Sequence, residues 1–205
     1  MAEIIIERNF NKRGWYTLEG LSTSTPLDKL KALEIGCGMS PAKIEGVDIL
    51  HTDKIRHSPH IAMELDASNP FPFEDETFDI VLMFGTLEHI MDVYACVEEV
   101  YRVLKKGGLF IVNLPHYSNS LYYREMQHIH AGSSRSFDSF TKDSDKSMSK
   151  TTTAKFDLLD FSFSMKFGKL FYKIVKRYIR TYEDWQLCFK LFPIYDMFFK
   201  LKKVG

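Results

Sequence analysis

Residues 78–112 constrain the fold of this 205-residue chain more than any other stretch. Phe78-Asp79-Ile80-Val81-Leu82-Met83-Phe84 is a nearly continuous apolar run, the pattern of a strand buried on both faces. Asp92 is placed to cap a helix over 93–105, in which Cys96, Val97, Val100, Tyr101, Val103 and Leu104 recur with a helical period. Lys105 and Lys106 fall in its expected last turn, where the helix dipole favours cations, and Gly107-Gly108 can end it. Leu109-Phe110-Ile111-Val112 then reads as a second buried strand. Strand, helix, strand in this order implies a parallel sheet with right-handed crossovers, hence an α/β chain.

The rest of the chain is read around that unit. Strands are expected at 31–36, 44–49 and 61–65, with a turn-rich loop over 70–77 and an irregular lead-in over 1–30 that includes a short helix. Too few residues separate Gly38 from Val47 for a crossover helix, and Pro41 stands among them, so a turn is expected there. Residues 132–153 are rich in Ser, Thr, Asp and Lys and read as a mobile loop or lid. Beyond them a strand over 154–164, an amphipathic helix over 166–180, a further helix over 182–191 and a final strand over 194–203 are expected. In helix 166–180, Phe167, Leu170, Phe171, Ile174, Val175, Tyr178 and Ile179 share a face. That face can pack on the sheet or rest on an anionic membrane surface, and packing is preferred because some element must cover the sheet.

The first strand runs into Leu33-Glu34-Ile35-Gly36-Cys37-Gly38, and the next ends in Gly46-Val47-Asp48. Glycines in such a turn let a backbone approach a ligand that a Cβ would collide with. An acid at the tip of the neighbouring strand can accept hydrogen bonds from both hydroxyls of a ribose. Together they indicate an adenosine-containing cofactor. A nicotinamide dehydrogenase fits poorly: it needs a third glycine near position 41, where the chain has Pro41.

Composition excludes other classes. Lys plus Arg balances Asp plus Glu, so no global field draws the chain to nucleic acid. Cys37, Cys96 and Cys188 are widely spaced, with no C-x-x-C pair, and are read as reduced thiols of a cytoplasmic protein rather than a disulfide framework or a zinc site. No apolar stretch reaches membrane-spanning length, and no signal-peptide pattern opens the chain.

Five ordered segments between residues 30 and 115 resemble the class I (Rossmann-like) S-adenosylmethionine-dependent methyltransferases, type 11 in particular. They are Leu33 to Gly38, Gly46-Val47-Asp48, Leu65-Asp66-Ala67, Phe73 to Ile90 with Leu87-Glu88-His89-Ile90, and Glu99 to Gly108. The resemblance implies a single-domain, Rossmann-like three-layer sandwich. Its sheet would be mostly parallel and of the seven-stranded type, with an antiparallel C-terminal strand and a shortened first connection. Residues 30–115 would form the cofactor core, 116–153 a mobile acceptor-side loop, and 154–205 the strands and helices completing the sheet. It also implies S-adenosylmethionine as cofactor and S-adenosylhomocysteine as product. Glu34, Gly36, Cys37, Gly38, Asp48, Ile49, Asp66, Ala67, Phe84 and Gly85 would line the cofactor site.

Each candidate also has a plainer reading. Glu34 can accept loop amides, Asp66 can cap a short helix, and Cys37 can be a small apolar filler. His89 is a candidate to line the acceptor pocket or take a proton, with loop organisation as its alternative, and His116, where acceptor-site residues often lie, is the candidate general base. His116, His128 and His130 raise a metal site, but such histidines more often contact loops or substrate, and no metal is expected. The acceptor is expected to be a small molecule, such as a sugar, a lipid-linked glycan or a metabolite. The alternatives are RNA or protein methylation, or a non-catalytic binding scaffold.

Overall fold

The computed structural model describes residues 5–7, 16–141, 152–165, 169–184 and 193–205. The strands are β1 (Ile5–Glu7), β2 (Tyr16–Thr17), β3 (Lys31–Ile35), β4 (Lys43–Ile44), β5 (Asp48–Asp53), β6 (Met63–Glu64), β7 (Phe78–Phe84), β8 (Leu104–Pro115), β9 (Phe156–Met165) and β10 (Ile194–Lys203). The helices are α1 (Val93–Val103), α2 (Lys169–Arg177) and α3 (Ile179–Asp184), with short 3-10 turns that include Leu27–Lys29 and Leu87–His89.

Seven strands form one sheet in the order β6-β5-β3-β7-β8-β10-β9, and β2-β1-β4 make a small separate sheet. From β6 to β8 every pairing is parallel, while β10 runs antiparallel to both β8 and β9. This is the mostly parallel sheet with an antiparallel C-terminal strand that the sequence implies. All seven residues of β7 are buried, as its unbroken apolar run requires.

Side chains two apart on a strand share a face, and the two faces carry separate cores. Leu33, Ile35, Val81, Met83, Phe110 and Val112 point to one side, where Cys96, Val97, Val100 and Val103 of α1 cover them. Ala32, Ile80, Leu82, Leu109 and Ile111 point to the other, against Leu18, Leu30, Ala42 and Ile44. No helix lies between β3 and β5; residues 36–47 contribute only the two-residue β4.

The second strand of the parallel set differs from its expected position. It is Asp48–Asp53, not 44–49, because Gly46 adopts φ +77° in a turn closed by Val47 N–H on Ile44 C=O (3.1 Å). Helix α1 starts where Asp92 accepts from Ala95 N–H (3.0 Å) but ends at Val103, before the lysines. Lys105 and Lys106 lie on β8, and the Lys105 ammonium reaches the buried Asp79 carboxylate (2.8 Å) instead of the helix terminus.

Residues 132–141 also differ from a polar lid. Phe137 and Phe140 are buried, with Phe137 packed on Phe110 and on Phe199 at 4.8 Å between ring centroids. Residues 142–151 of the expected lid, and 185–191 of the expected helix 182–191, lie outside the described residues. The amphipathic stretch breaks at Tyr178 into α2 and α3; Val175 is buried, Phe171, Tyr172 and Ile179 pack on the core, and Ile174 and Tyr178 are exposed.

Arg102 fastens the loop over 70–77 to α1. Its guanidinium donates to the carbonyls of Phe71 (3.0 Å) and Phe73 (2.7 Å), to Asp75 (2.8 Å) and in bidentate fashion to Glu99 (2.8 Å each). That fork, with Phe71 N–H donating to the same carboxylate, holds the Glu99 carboxyl below the usual range. Lysine cannot reproduce it. Arg102→Lys is expected to cost about 2 kcal/mol, the scale of one lost charged hydrogen bond, read as a lower urea midpoint at unchanged slope.

Candidate active site

Ligands in open α/β sheets bind beyond the carboxyl ends of the parallel strands. A cavity of about 880 Å³ opens there, a size suited to a small molecule. Ile35, Gly36 and Gly38 line it after β3, Asp53 and Lys54 at the end of β5, Leu65, Asp66 and Ala67 after β6, and Phe84, Gly85 and Thr86 at the end of β7.

The glycine turn is fixed by backbone geometry. Gly36 has φ +70°, and a Cβ there would lie 2.2 Å from Thr86 Oγ1. The amides of Gly36 and Cys37 both donate to Thr52 C=O (2.9 and 3.0 Å), which draws the turn onto β5. Gly38 has φ +58° with open space where a Cβ would stand, so its backbone borders the cavity without a side chain. Its N–H donates to Asp53 Oδ2 (2.8 Å), which orients that carboxylate at the strand end.

Asp48 and Ile49, expected at the site, are not there. Asp48 begins β5 opposite Lys31, at the opposite end of the strands from the glycine turn. Five residues of strand put it about 16 Å from Asp53, and neither Asp48 nor Ile49 lines the cavity. Asp53 takes the position that sequence reasoning gave to Asp48.

Glu34 is fully buried on the far face and accepts from Ala42 N–H (2.9 Å), with His51 Nδ1 at 2.8 Å from the same oxygen. It ties the short first connection to β5, and neither it nor the buried Cys37 lines the cavity. Asp66, Ala67, Phe84 and Gly85 do. The Asp66 carboxyl is held below its usual range by Ser68 N–H (3.0 Å) and by the Lys54 ammonium (3.0 Å).

His89 lines the cavity; desolvation outweighs its contact with Gln127 C=O and holds its imidazole below the usual histidine value. His116 does not line it. It is fully buried, with Nδ1 2.8 Å from Ser118 Oγ and Nε2 3.0 Å from Glu183 Oε1. The other partners of Glu183 are the amide and hydroxyl of Ser134 (2.8 and 2.7 Å), so His116 joins β8 and the 132–136 turn to α3. Burial would raise the Glu183 carboxyl, but the hydrogen bonds from His116 and Ser134 prevail and lower it. A depressed carboxylate contributes stability above its unfolded value of about 4.3 and loses it as pH falls through the lower folded value. Glu183→Gln is therefore expected to flatten the acid side of the stability curve below about pH 4, measured by urea unfolding at stepped pH.

Two further residues of the cavity carried no sequence signal. Asn113 Oδ1 accepts from Gly85 N–H (2.7 Å) and holds the end of β7 against β8. Asp196, on β10, faces the cavity, and burial raises its carboxyl above the usual range despite a hydrogen bond with Ser164. With Asp53, Asp66 and Glu88 this places four carboxylates around the cavity against the single lysine Lys54.

Residues 33–112, from within β3 to within β8, match the family described as Methyltransferase domain. Over that stretch, which is less than half of the chain, the protein is similar to S-adenosylmethionine-dependent methyltransferase domains of the class I, Rossmann-like kind. The solved YcgJ protein of Bacillus subtilis superposes with a TM-score of 0.54 at 18% identity, over 86% of this chain and 92% of that one. A SAM-dependent methyltransferase from Archaeoglobus fulgidus gives 0.52 at 15%, over 85% and 86%. These likenesses concern the fold.

Among sequence relatives, the ubiquinone/menaquinone biosynthesis C-methyltransferase UbiE of Geobacter sulfurreducens is 35% identical over 71 residues, 33% of this chain and 28% of UbiE. Protein MJ1123 of Methanocaldococcus jannaschii is 35% identical over 103 residues, 47% of this chain and 49% of that protein. The chain thus spans less than half the length of these curated relatives. Among the described residues, no helix is long and apolar enough to cross a membrane.

Proposed function

We propose that this protein transfers a methyl group from S-adenosylmethionine to a small-molecule acceptor. The observation that carries the reading is the convergence of Gly36, Gly38, Asp53 and Asp66 on one cavity at the carboxyl ends of β3, β5 and β6. The residues present fit the cofactor. The side-chain-free backbone of Gly38 admits a close ligand, and four carboxylates suit a molecule bearing a sulfonium and an ammonium. When bound, S-adenosylmethionine supplies an electrophilic methyl group.

Asp53, already oriented by Gly38 N–H, would accept from the ribose hydroxyls, and Asp66 with Ala67 would receive the adenine. Phe84 and Gly85 border the end of the cavity where the methionine moiety belongs. Thr86, His89, Asn113 and Asp196 surround the acceptor side. The raised carboxyl of Asp196 makes it the better base for an acceptor hydroxyl, while His116 is sealed away from the cavity. The cavity walls would hold donor and acceptor together and limit their contact with water, the contribution a protein makes to methyl transfer.

A small acceptor is favoured over a macromolecule because the site is a cavity and because relatives such as UbiE are named for small-molecule methylation. Sugars, lipid-linked glycans and hydroxylated metabolites are the classes to screen. The test combines calorimetry of S-adenosylmethionine on the folded protein with mass-spectrometric detection of S-adenosylhomocysteine released in the presence of acceptor pools. Release matched by a methylated product supports the reading. No binding by folded protein overturns it, and binding without turnover in any pool favours the non-catalytic scaffold.

A further inference from the structure

We infer that Glu88, His89 and His128 form a binding site for one divalent transition cation at the acceptor end of the cavity. The inference rests on the methyltransferase reading only for what the cation would do, not for its binding. One ligand atom from each of the three side chains lies within 4.8 Å of the others. Atoms around a bound cation of this kind stand about 3–4 Å apart, so a small inward adjustment completes the set. Two imidazoles with one carboxylate match zinc, cobalt or iron(II), whereas magnesium prefers an all-oxygen shell.

The surroundings have the arrangement that metal-binding histidines require. A ligating histidine donates its other ring N–H to a carbonyl or carboxylate, which fixes tautomer and orientation. His89 Nδ1 lies 3.2 Å from Gln127 C=O, and His128 Nδ1 lies 2.9 Å from Tyr122 C=O. A carbonyl oxygen only accepts, so each Nδ1 must carry the proton and each Nε2 keeps a lone pair. The Tyr122 ring stacks on His128 at 5.2 Å with 22° between planes, which holds the imidazole in place. Glu88 is 5% exposed, and its backbone carbonyl accepts from Ile129 N–H (2.8 Å) and His130 N–H (3.2 Å), clamping the 87–89 turn to the 128–130 segment.

Glu88 and His89 line the cavity together with Thr86, Asn113 and Gln127. Three protein ligands leave coordination positions open, as catalytic sites do. An acceptor oxygen bound at such a position would ionise more readily. His116 and His130 take no part: His116 is occupied by Ser118 and Glu183, and His130 Nε2 rests 3.3 Å from Met91 C=O.

The test uses tag-free protein without cofactor. Titration with Zn²⁺ by calorimetry, and with Co²⁺ by visible absorption, is expected to show one equivalent bound with nitrogen and oxygen coordination; Mg²⁺ should bind far more weakly. His128→Ala and Glu88→Gln should each weaken Zn²⁺ binding by roughly 100-fold, with circular dichroism verifying the fold. Paramagnetic broadening of the His89 and His128 ring signals by Co²⁺ in the wild type reports the same site without any variant. Binding of S-adenosylmethionine to His128→Ala is measured in parallel and should stay within about twofold of wild type. Stoichiometric Zn²⁺ binding alongside absent cofactor binding would support the cation site while removing the methyltransferase reading. Failure of the wild type to bind either transition cation, or binding that leaves both ring signals unchanged, overturns the site.

Discussion

Asp53→Ala is expected to weaken S-adenosylmethionine binding by about 100-fold, measured calorimetrically, while Asp48→Ala leaves it within about twofold. Two effects add at Asp53. The variant loses a charged acceptor for the ribose hydroxyls, about 1.5–3 kcal/mol, and it frees Gly38 N–H, which the Asp53 carboxylate engages at 2.8 Å. A loss near 3 kcal/mol corresponds to roughly two decades in Kd. Asp48 stands opposite Lys31 at the amino-terminal end of the parallel strands and is the matched control. Equal losses in both variants would mean that the cofactor does not follow the carboxyl ends of the strands.

Phe137→Ala is expected to cost about 4 kcal/mol, the largest stability change foreseen, lowering Tm by about 10 °C in calorimetry. The ring is 3% exposed and contacts Phe110, Phe140 and Phe199. Its removal leaves a cavity that neighbours in a tightly packed interior cannot fill. The alternative, a 132–141 segment that swings as a lid, predicts a cost below about 1 kcal/mol, as for ordinary surface positions.

These two residues also show where the sequence was legible and where it was not. β7, β8 and β10 are readable because burial leaves long apolar or alternating runs, a signal that needs no partner to interpret. β5 is short and partly polar, Asp-Ile-Leu-His-Thr-Asp, and the preceding Lys43–Val47 segment offers competing apolar residues. The sequence pattern therefore places the strand four residues early and the strand-end acid at Asp48 instead of Asp53. Phe137 and Phe140 sit alone in a polar segment, and their burial depends on Phe110 and Phe199, which are distant in sequence. His116 was misread for the same reason, since Glu183 lies 67 residues away. Gly36, Gly38, Asp66, Ala67, Phe84 and Gly85 line the cavity, and each stands at or just after the end of β3, β6 or β7, strands that apolar runs make readable.

The insertion of β10 between β8 and β9 has a consequence for synthesis on the ribosome. Among the described residues β9 pairs within the sheet with β10 alone, so it emerges with its ladder groups unpaired. At about 5–20 residues per second, the interval from Met165 to Lys203 keeps that edge open for several seconds. During this time a nascent chain already folded through β8 presents two unpaired strand edges, and another chain in the same state offers the same two. Crowded translation is thus the condition under which this protein would exchange its final strands between molecules.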